Sequence, residues 1–564
     1  MSSRVDAIVV GLGAAGGLVA TELARAGMKV VGLEKGRFYK RADFKTKFDE
    51  IRYYCRSAIM PTMATDPITW RPREGEEAAV LPWASNKLGL GDPFQIPPSI
   101  GTGGGTLHWG AASFRFREQD FRMRSALVER FSESALPEDN TLVDWPIDYK
   151  TLEPYYDRVE WDLGVAGTAG KIKGEVISGG NPFEAPRSRG YPMPPLPRAA
   201  ADNSFVQACS RLGFHAFPTP TAIATIDYKG WSACVNCGFC HGYPCHVGAK
   251  ISTHDIIESV ARETQNLEVW PFARTFRVNR TAGGAVKGVS YFDSEGDVVD
   301  LEAGMIFLGC YAFENARLLL VSGINRNGHV GKHLMVHNYG WFNAVLPDCT
   351  NPFMGSLQCG SVIDDFSSEL VPDNEQGVLW GSPINTWTGD MQPIETFHNV
   401  PPHVPRWGQK FKDWIQANYR RLFRMYSQHS SLPSLSSYCD LDPKIKDSFG
   451  QPTLRITHDW ADHDCKSVEY FMKIKRQIAK EMGVLESWED SPAPAYHVTT
   501  HDVGLHRMGW DPDQSVVDPF GKVHECNGLY AIGGGMFPTH PAYNPTETIM
   551  ALAYMTADHA LGRL

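Results

Sequence analysis

Ala7-Ile-Val-Val10-Gly11-Leu-Gly13-Ala-Ala-Gly16 decides the reading of this chain. A short apolar run passes straight into glycines spaced Gly-x-Gly-x-x-Gly. A helical stretch, Gly17 to Ala26, follows and is closed by Gly27. Lys29-Val-Val-Gly-Leu33 reads as a second strand, ending at Glu34. Strand, glycine turn, helix and strand make a βαβ unit of about 30 residues. The glycines permit the tight turn and let backbone N–H groups approach a pyrophosphate at the helix N-terminus. Glu34 lies 23 residues after Gly11, where an acid can bind a ribose hydroxyl. Glycine spacing alone is weak evidence. With all four elements and the terminal acid in agreement, the reading is dinucleotide binding through Gly11, Gly13, Gly16 and Glu34.

Further along, Gly101-Thr-Gly-Gly-Gly-Thr106 is a second glycine-rich turn, followed by Leu107-His108-Trp109. Residues 37–100 mix proline and aromatics without a clean period and read as long loops and short helices. Pro182 to Pro220 is proline-rich and irregular. Asn266 to Val278, Val286 to Phe292 and Val298 to Leu308 read as strands of a second part of the nucleotide-binding domain. Residues 340–490 hold Trp341, Trp380, Trp387, Trp407, Trp414, Trp460 and Trp488, and that aromatic block is a candidate substrate domain. Leu529 to Gly533 reads as a strand and Thr546 to Leu561 as a helix. The fold class is α/β: a Rossmann-like nucleotide-binding domain with a second, α+β substrate-binding domain.

A chain of 564 residues has room for more than one domain. Its 43% apolar and 21% charged residues are ordinary for a soluble globular protein, and a net charge of −10 argues against a nucleic-acid surface. No stretch approaches the ~18 consecutive apolar residues of a membrane helix. Met1 to Asp6 run into the first strand without a charged n-region and apolar h-region, so the expectation is no signal peptide of its own.

Of 12 cysteines, eight are scattered: Cys55, Cys209, Cys310, Cys349, Cys359, Cys439, Cys465 and Cys526. A large chain with its own core does not need disulfides, so these read mostly as buried thiols. The other four, Cys234-x2-Cys237-x2-Cys240-x4-Cys245, are packed into twelve residues and admit three readings. Cys-x2-Cys-x2-Cys is ferredoxin-type spacing. Three or four thiolates converging on one point would hold a [3Fe–4S] or [4Fe–4S] iron–sulfur cluster, although the fourth cysteine comes one residue later than in the bacterial run. A structural zinc site accepts four cysteines, with two residues between three successive ones less usual there. Plain thiols or disulfides are the third reading.

The fingerprint at 11–16, the turn at 101–106, Leu308-Gly-Cys-Tyr-Ala-Phe-Glu-Asn-Ala-Arg-Leu318 and the tail Gly533-Gly-Gly-Met-Phe-Pro-Thr-His-Pro-Ala-Tyr-Asn544-Pro-Thr-Glu-Thr548 form one pattern. It resembles the glucose–methanol–choline (GMC) flavoprotein oxidoreductases over essentially the whole chain. Asp144 to Tyr156, Gly180 to Arg189, Cys237-Gly-Phe-Cys240 and Asn351-Pro-Phe-Met-Gly355 are most similar to the flavoprotein subunits of bacterial gluconate 2-dehydrogenases. The resemblance implies FAD as cofactor, held also by Gly103, Gly104, Gly534, Asn544, Pro545 and Thr546. His501-Asp-Val-Gly-Leu-His506-Arg-Met-Gly509 matches the family's catalytic histidine segment, which carries the base onto His501. Asn544 matches the partner position, where an amide or second histidine binds the substrate oxygen. A neutral histidine suits a base because its pKa sits near operating pH, and an amide can hydrogen-bond a hydroxyl without competing for its proton. His506 is a lesser candidate; His497 and His540 read as structural or pocket-lining. Some relatives, pyranose oxidases among them, bond FAD covalently through a histidine in a turn shaped like Gly105-Thr-Leu-His108-Trp109. Related sugar dehydrogenases have His-Trp here too, so His108 is either a covalent link or a contact.

The activity implied is oxidation of a secondary alcohol of a sugar or sugar acid by hydride transfer to FAD. Electrons would pass through an iron–sulfur cluster at Cys234, Cys237, Cys240 and Cys245 to a cytochrome-type acceptor. A one-electron centre can bridge a two-electron flavin and a haem that takes electrons singly. The resemblance also implies a small subunit carrying the export signal and a membrane-bound cytochrome c, hence the periplasmic face of the inner membrane. A cytoplasmic enzyme is the alternative. A carboxylate substrate would want a cation in the pocket, for which Arg406, Lys410 and Arg507 are available. The rivals are an O2-using oxidase like the pyranose oxidases, a glucoside 3-dehydrogenase-like enzyme, a lyase that holds FAD without net redox chemistry, and a non-enzymatic electron carrier. Along the chain, the expected division is 1–140 and 226–335 for the two parts of the FAD-binding domain, the second including the cysteines. Residues 141–225 are substrate-domain and linker segments, 336–495 the substrate-binding domain, and 496–564 the C-terminal part with the catalytic pair.

Overall fold

The run Val5–Val10 forms a strand whose last four residues are buried, as a strand covered on both faces requires. The computed structural model describes residues 5–44, 66–80, 100–372, 377–393, 396, 400–490 and 500–564; Cys55 and His497 lie outside them. The helix Ala14–Arg25 leads to Val30–Leu33, which lies parallel to the first strand. Leu267–Trp270 lies parallel beyond it. On the other side of the first strand runs Val298–Leu308, which changes partners along its length. Residues 298–302 pair antiparallel with Val286–Phe292, while residues 303–308 pair parallel with Val5–Val10 and, at their end, with Leu529–Ala531. Arg274–Arg280 pairs antiparallel with Val286–Phe292. The helices Thr253–Thr264 and Thr546–Ala560 pack against Ala14–Arg25, and sheet and helices share one apolar core. This is the expected α/β class.

A second sheet of six antiparallel strands runs in the order Glu486–Glu489, His337–Val345, Leu422–Ser430, Ile384–Trp387, Ser361–Ile363 and Ala216–Pro218. Its register sets Tyr339 opposite Gln428, Trp341 opposite Tyr426, and Arg424 opposite both Asn343 and Trp387. Side chains alternate faces along a strand. Tyr339, Trp341, Arg424, Tyr426, Gln428 and Trp387 therefore share one face, and Phe342, Ala344, Phe423, Met425 and Ile384 the other. The second face packs on the helix Asp462–Met482 through Val468, Phe471 and Met472. One face of the sheet is core, which leaves the other to line a cavity.

Three local expectations change. The strand read over 266–278 is two strands, Leu267–Trp270 and Arg274–Arg280. Pro271 cannot donate to the ladder, and Phe272 takes φ 58°. The irregular stretch 182–220 contains the helix Ala200–Leu212, whose Ala201, Phe205, Ala208 and Cys209 are buried at helical spacing. The prolines at 192–197 precede this helix rather than interrupt it. Within 37–100, Thr69–Arg71 and Ala79–Val80 are strands that join Pro452–Thr457 and Tyr438–Lys446 in a four-stranded sheet. Among the described residues, no helix is long and apolar enough to cross a membrane.

Candidate active site

A cavity of about 470 Å³ runs from the glycine fingerprint to the aromatic face of the second sheet. Gly11 has φ +80°, and a Cβ there would lie 2.6 Å from the Cα of Cys310. Gly13 and Gly104 present bare backbone to the cavity, whereas Gly16 and Gly103 stand behind it. A Cβ on Gly16 would meet the carbonyl oxygen of Gly11 at 2.0 Å, and one on Gly103 the side chain of His254 at 2.9 Å. The helix Ala14–Arg25 begins with no side-chain cap and no acid in its first turn. Its free N–H groups and positive end therefore favour an anion such as a pyrophosphate. Glu34, on the wall, accepts from the backbone N–H groups of Leu12 (3.1 Å), Gly36 (2.9 Å) and Gly101 (2.9 Å). Gly534, Asn544, Pro545 and Thr546 reach the same wall, where the helix Thr546–Ala560 also begins without a side-chain cap. These features fit the FAD that the resemblance implies.

His501 and Asn544 meet on this wall, with Asn544 Nδ2 3.3 Å from His501 Nε2. Gln428 Nε2 donates to Asn544 Oδ1 at 3.1 Å, which turns the amide N–H groups toward His501. On the other side of the ring, His501 Nδ1 lies 3.1 Å from His337 Nδ1 and 3.0 Å from Tyr339 Oη. His337 Nε2 is 2.8 Å from the Pro541 carbonyl oxygen. A carbonyl only accepts, so His337 carries its proton on Nε2 and its Nδ1 is bare. The two facing Nδ1 atoms need one proton between them, and it belongs to His501. His501 Nε2 is then a bare lone pair directed at Asn544 and the cavity. Burial pushes the His501 pKa down to about 4. Burial, and then the neighbouring imidazoles, lower His337 and His540 as well, so the cluster is neutral at pH 7. His540 stacks on His337 at 3.6 Å and 9°, and its Nε2 donates to the backbone oxygen of His501 at 3.0 Å. His540, read from the sequence as structural or pocket-lining, is placed behind His337 and bonded to the His501 backbone. His337, Tyr339 and Gln428 were not read from the sequence.

His506 stands apart from the wall. It is fully buried against Gly535, whose Cβ, if present, would fall 1.7 Å from its ring, and burial lowers its pKa to about 3. None of the three cations read as carboxylate partners reaches the cavity wall. Arg406 and Lys410 are exposed, and Arg507 donates to the backbone oxygens of Gln514 and Thr141. Lys35, Arg274 and Arg317 line the nucleotide end of the cavity, and Arg424 reaches it at the aromatic face of the second sheet. Its guanidinium lies 4.5 Å over Trp341 and 5.6 Å from the centroid of Trp387, and it pairs with Asp490 at 3.1 Å. Trp341 sits 5.4 Å from Trp387 and 5.0 Å from Tyr426. Of the other tryptophans, Trp380 is core and donates to Asp120, and Trp407 is 82% exposed.

His108 is on the wall, and the cysteine loop is laced to its turn. Gly242 N donates to the His108 carbonyl at 2.8 Å. The buried Lys250 Nζ donates to the carbonyls of Trp109 (2.8 Å), Cys240 (2.6 Å) and Tyr243 (2.7 Å). The Asp390 carboxylate accepts from Cys240 N and His241 N at 3.0 and 2.8 Å. Cys234, Cys237, Cys240 and Cys245 are all free thiols. Burial raises the pKa of Cys234, Cys237 (to about 11) and Cys240, and the charge of Cys245 adds to each. They are neighbours. Yet among the described residues no three His, Cys, Asp or Glu side chains are placed to hold a metal ion. As placed, the four sulfurs do not form the ligand set of a cluster or of zinc.

A family model described as GMC oxidoreductase matches residues 433–553. The gluconate 2-dehydrogenase flavoprotein of Pantoea cypripedii is 30% identical, over 98% of this chain and 93% of its own length. The fructose dehydrogenase large subunit of Gluconobacter japonicus is 25% identical, over 99% and 98%. Among solved structures, pyridoxine 4-oxidase from Mesorbium loti superposes with a TM-score of 0.63 at 16% identity, covering 99% of each chain. That last likeness speaks for the fold.

Proposed function

This chain belongs to the GMC oxidoreductase family, and from that premise we propose that it is an FAD-dependent dehydrogenase oxidising a secondary alcohol of a sugar or sugar acid. The observation that carries the reading is the bare Nε2 of His501 facing Asn544 in the cavity that begins at the glycine fingerprint. FAD, when bound, supplies a two-electron acceptor for a hydride. His501 Nε2 takes the hydroxyl proton. Asn544 Nδ2–H donates to the same oxygen and holds it beside the base. As the proton leaves, the O–H electron pair becomes the second C–O bond, and the hydrogen on carbon departs with its own pair. His337 and Tyr339 keep the His501 proton on Nδ1, and the aromatic wall excludes water. The names of the two relatives, one acting on gluconate and one on fructose, support a sugar-type donor for this chain as well.

Anaerobic bleaching of the bound flavin by a panel of sugars and sugar acids tests this. His501→Ala should retain FAD and lose about 10²–10⁴-fold in the rate of reduction; an unchanged rate refutes the assignment.

The electrons' onward route is the finer part of the reading. We place their exit at the cysteine loop, because that loop is tied to the turn of His108 and Trp109, with a cytochrome-type carrier as acceptor. A small companion subunit and a periplasmic location belong to the same proposal. Hydrogen peroxide formed at the rate of sugar oxidation would favour an oxidase instead. Iron and acid-labile sulfide per flavin decide whether the loop holds a cluster, and flavin retained in the acid-denatured pellet would mark a covalent link at His108.

A further inference from the structure

We infer that the site takes a neutral saccharide, with its ring face on Trp341 and its hydroxyls on Arg424, and that Asp490 turns away sugar acids. The inference rests on the proposed function and narrows its substrate class. Its starting point is charge. Among the described residues of the cavity wall, each Lys or Arg is matched by a carboxylate. Lys35 and Arg274 each lie 3.0 Å from Asp66, Arg317 lies 2.8 Å from Asp447, and Arg424 lies 3.1 Å from Asp490. The first three belong to the nucleotide end. Near His501 the wall offers Arg424 and two carboxylates, Asp490 and Asp502, the latter accepting from Tyr311 Oη.

A free arginine would be a receptor for a substrate carboxylate. Arg424 is not free. Asp490 holds its Nη2, and Asn343 Nδ2 in turn holds Asp490 Oδ1 at 2.6 Å, which fixes the counter-charge in place. A second carboxylate brought to Arg424 would stand beside Asp490, and like charges side by side repel. The Nε of Arg424 is buried without a hydrogen-bond partner among the described residues. Such a donor loses its hydration unless a ligand accepts from it, and a sugar hydroxyl can. The indole of the half-buried Trp341 supplies an apolar surface for the C–H face of a sugar ring, and the buried Trp387, inclined to it at 54°, backs it while the cation keeps the two in register. Bound this way, the ring lies on the wall it shares with His501 and Asn544.

The test uses holoenzyme in anaerobic stopped flow, with a methyl hexopyranoside, its uronate counterpart and gluconate as reductants. The expected kcat/KM is at least about tenfold higher for the neutral glycoside than for either anion. Asp490→Asn frees Arg424 and should move that ratio at least about tenfold toward the uronate, while Arg424→Gln should raise KM for the glycoside. Faster reduction by the uronate or gluconate in the unaltered enzyme overturns the inference and leaves the proposed function standing. A ratio unmoved in Asp490→Asn also overturns it; if that variant does not fold, the ratio in the unaltered enzyme decides alone. Bound flavin that no saccharide reduces refutes the proposed function itself.

Discussion

Replacing His337 by leucine should slow flavin reduction about five- to twentyfold at saturating sugar, and the second substitution Tyr339→Phe should restore most of it. His501 has two candidate partners at Nδ1, His337 Nδ1 at 3.1 Å and Tyr339 Oη at 3.0 Å. His337, with its own proton on the Pro541 carbonyl, can only accept there. Tyr339 can accept or donate. A buried hydrogen bond of about 1–1.5 kcal/mol favours one tautomer by roughly five- to tenfold. In the native site that preference holds the proton on Nδ1 and leaves Nε2 bare. Without His337, Tyr339 donates to Nδ1, the preference inverts, and the bare-Nε2 form falls to roughly a tenth of the population. Removing both partners withdraws the Tyr339 donation, while the Asn544 N–H still faces Nε2, so most of the loss is recovered. The assay is anaerobic stopped-flow reduction at saturating sugar on variants with full flavin content. His337→Leu should also lose about 1–3 kcal/mol of stability, because leucine fills the ring's volume but leaves the buried Pro541 carbonyl without its donor. Two results would refute the reasoning: native kcat in His337→Leu, or a double variant no faster than the single one.

Gly11→Ala should yield protein without flavin absorbance, because φ +80° strains any side chain and the new Cβ meets backbone, the Cα of Cys310, at 2.6 Å. Lys250→Met strands the carbonyls of Trp109, Cys240 and Tyr243, so a loss of about 2–4 kcal/mol should appear in thermal or urea unfolding. Stability should fall as pH drops from about 6.5 toward 4. Burial lowers His501 and His463 to about 4 and His506 to about 3, so the unfolded chain binds protons in that window that the folded one refuses. Denaturant midpoints across pH 4–8 check this, and a midpoint flat through the window would refute it. By the same shift, kcat/KM should show no loss attributable to His501 between pH 6 and 8.

The βαβ unit was legible because its signals are local. Gly11 needs φ +80° in any chain that turns there, and Glu34 follows from counting along one helix and one strand. The alternation in His337-Asn-Tyr339-Gly-Trp341 and Arg424-Met-Tyr426-Ser-Gln428 was also available in the sequence, and it marks two strands with a polar aromatic face. It does not say that Tyr339 stands opposite Gln428, or that this face turns to the cavity while Phe342 and Met425 turn to the helix Asp462–Met482. The helix Ala200–Leu212 was hidden by the prolines that precede it.

Local chemistry in the sequence determined the class of cofactor, the parallel core that holds it, and the residue types able to carry a proton or hold a hydroxyl. The tertiary structure alone decided which nitrogen of His501 is bare, which cation stands at the aromatic face of the cavity, and that this cation arrives already neutralised. The reason is sequence distance. The proton on His501 is placed by His337 and Pro541, and the charge on Arg424 is cancelled by Asp490. These partners are brought within hydrogen-bond reach by strand register and burial, and neither is expressed in the sequence near the residue it controls.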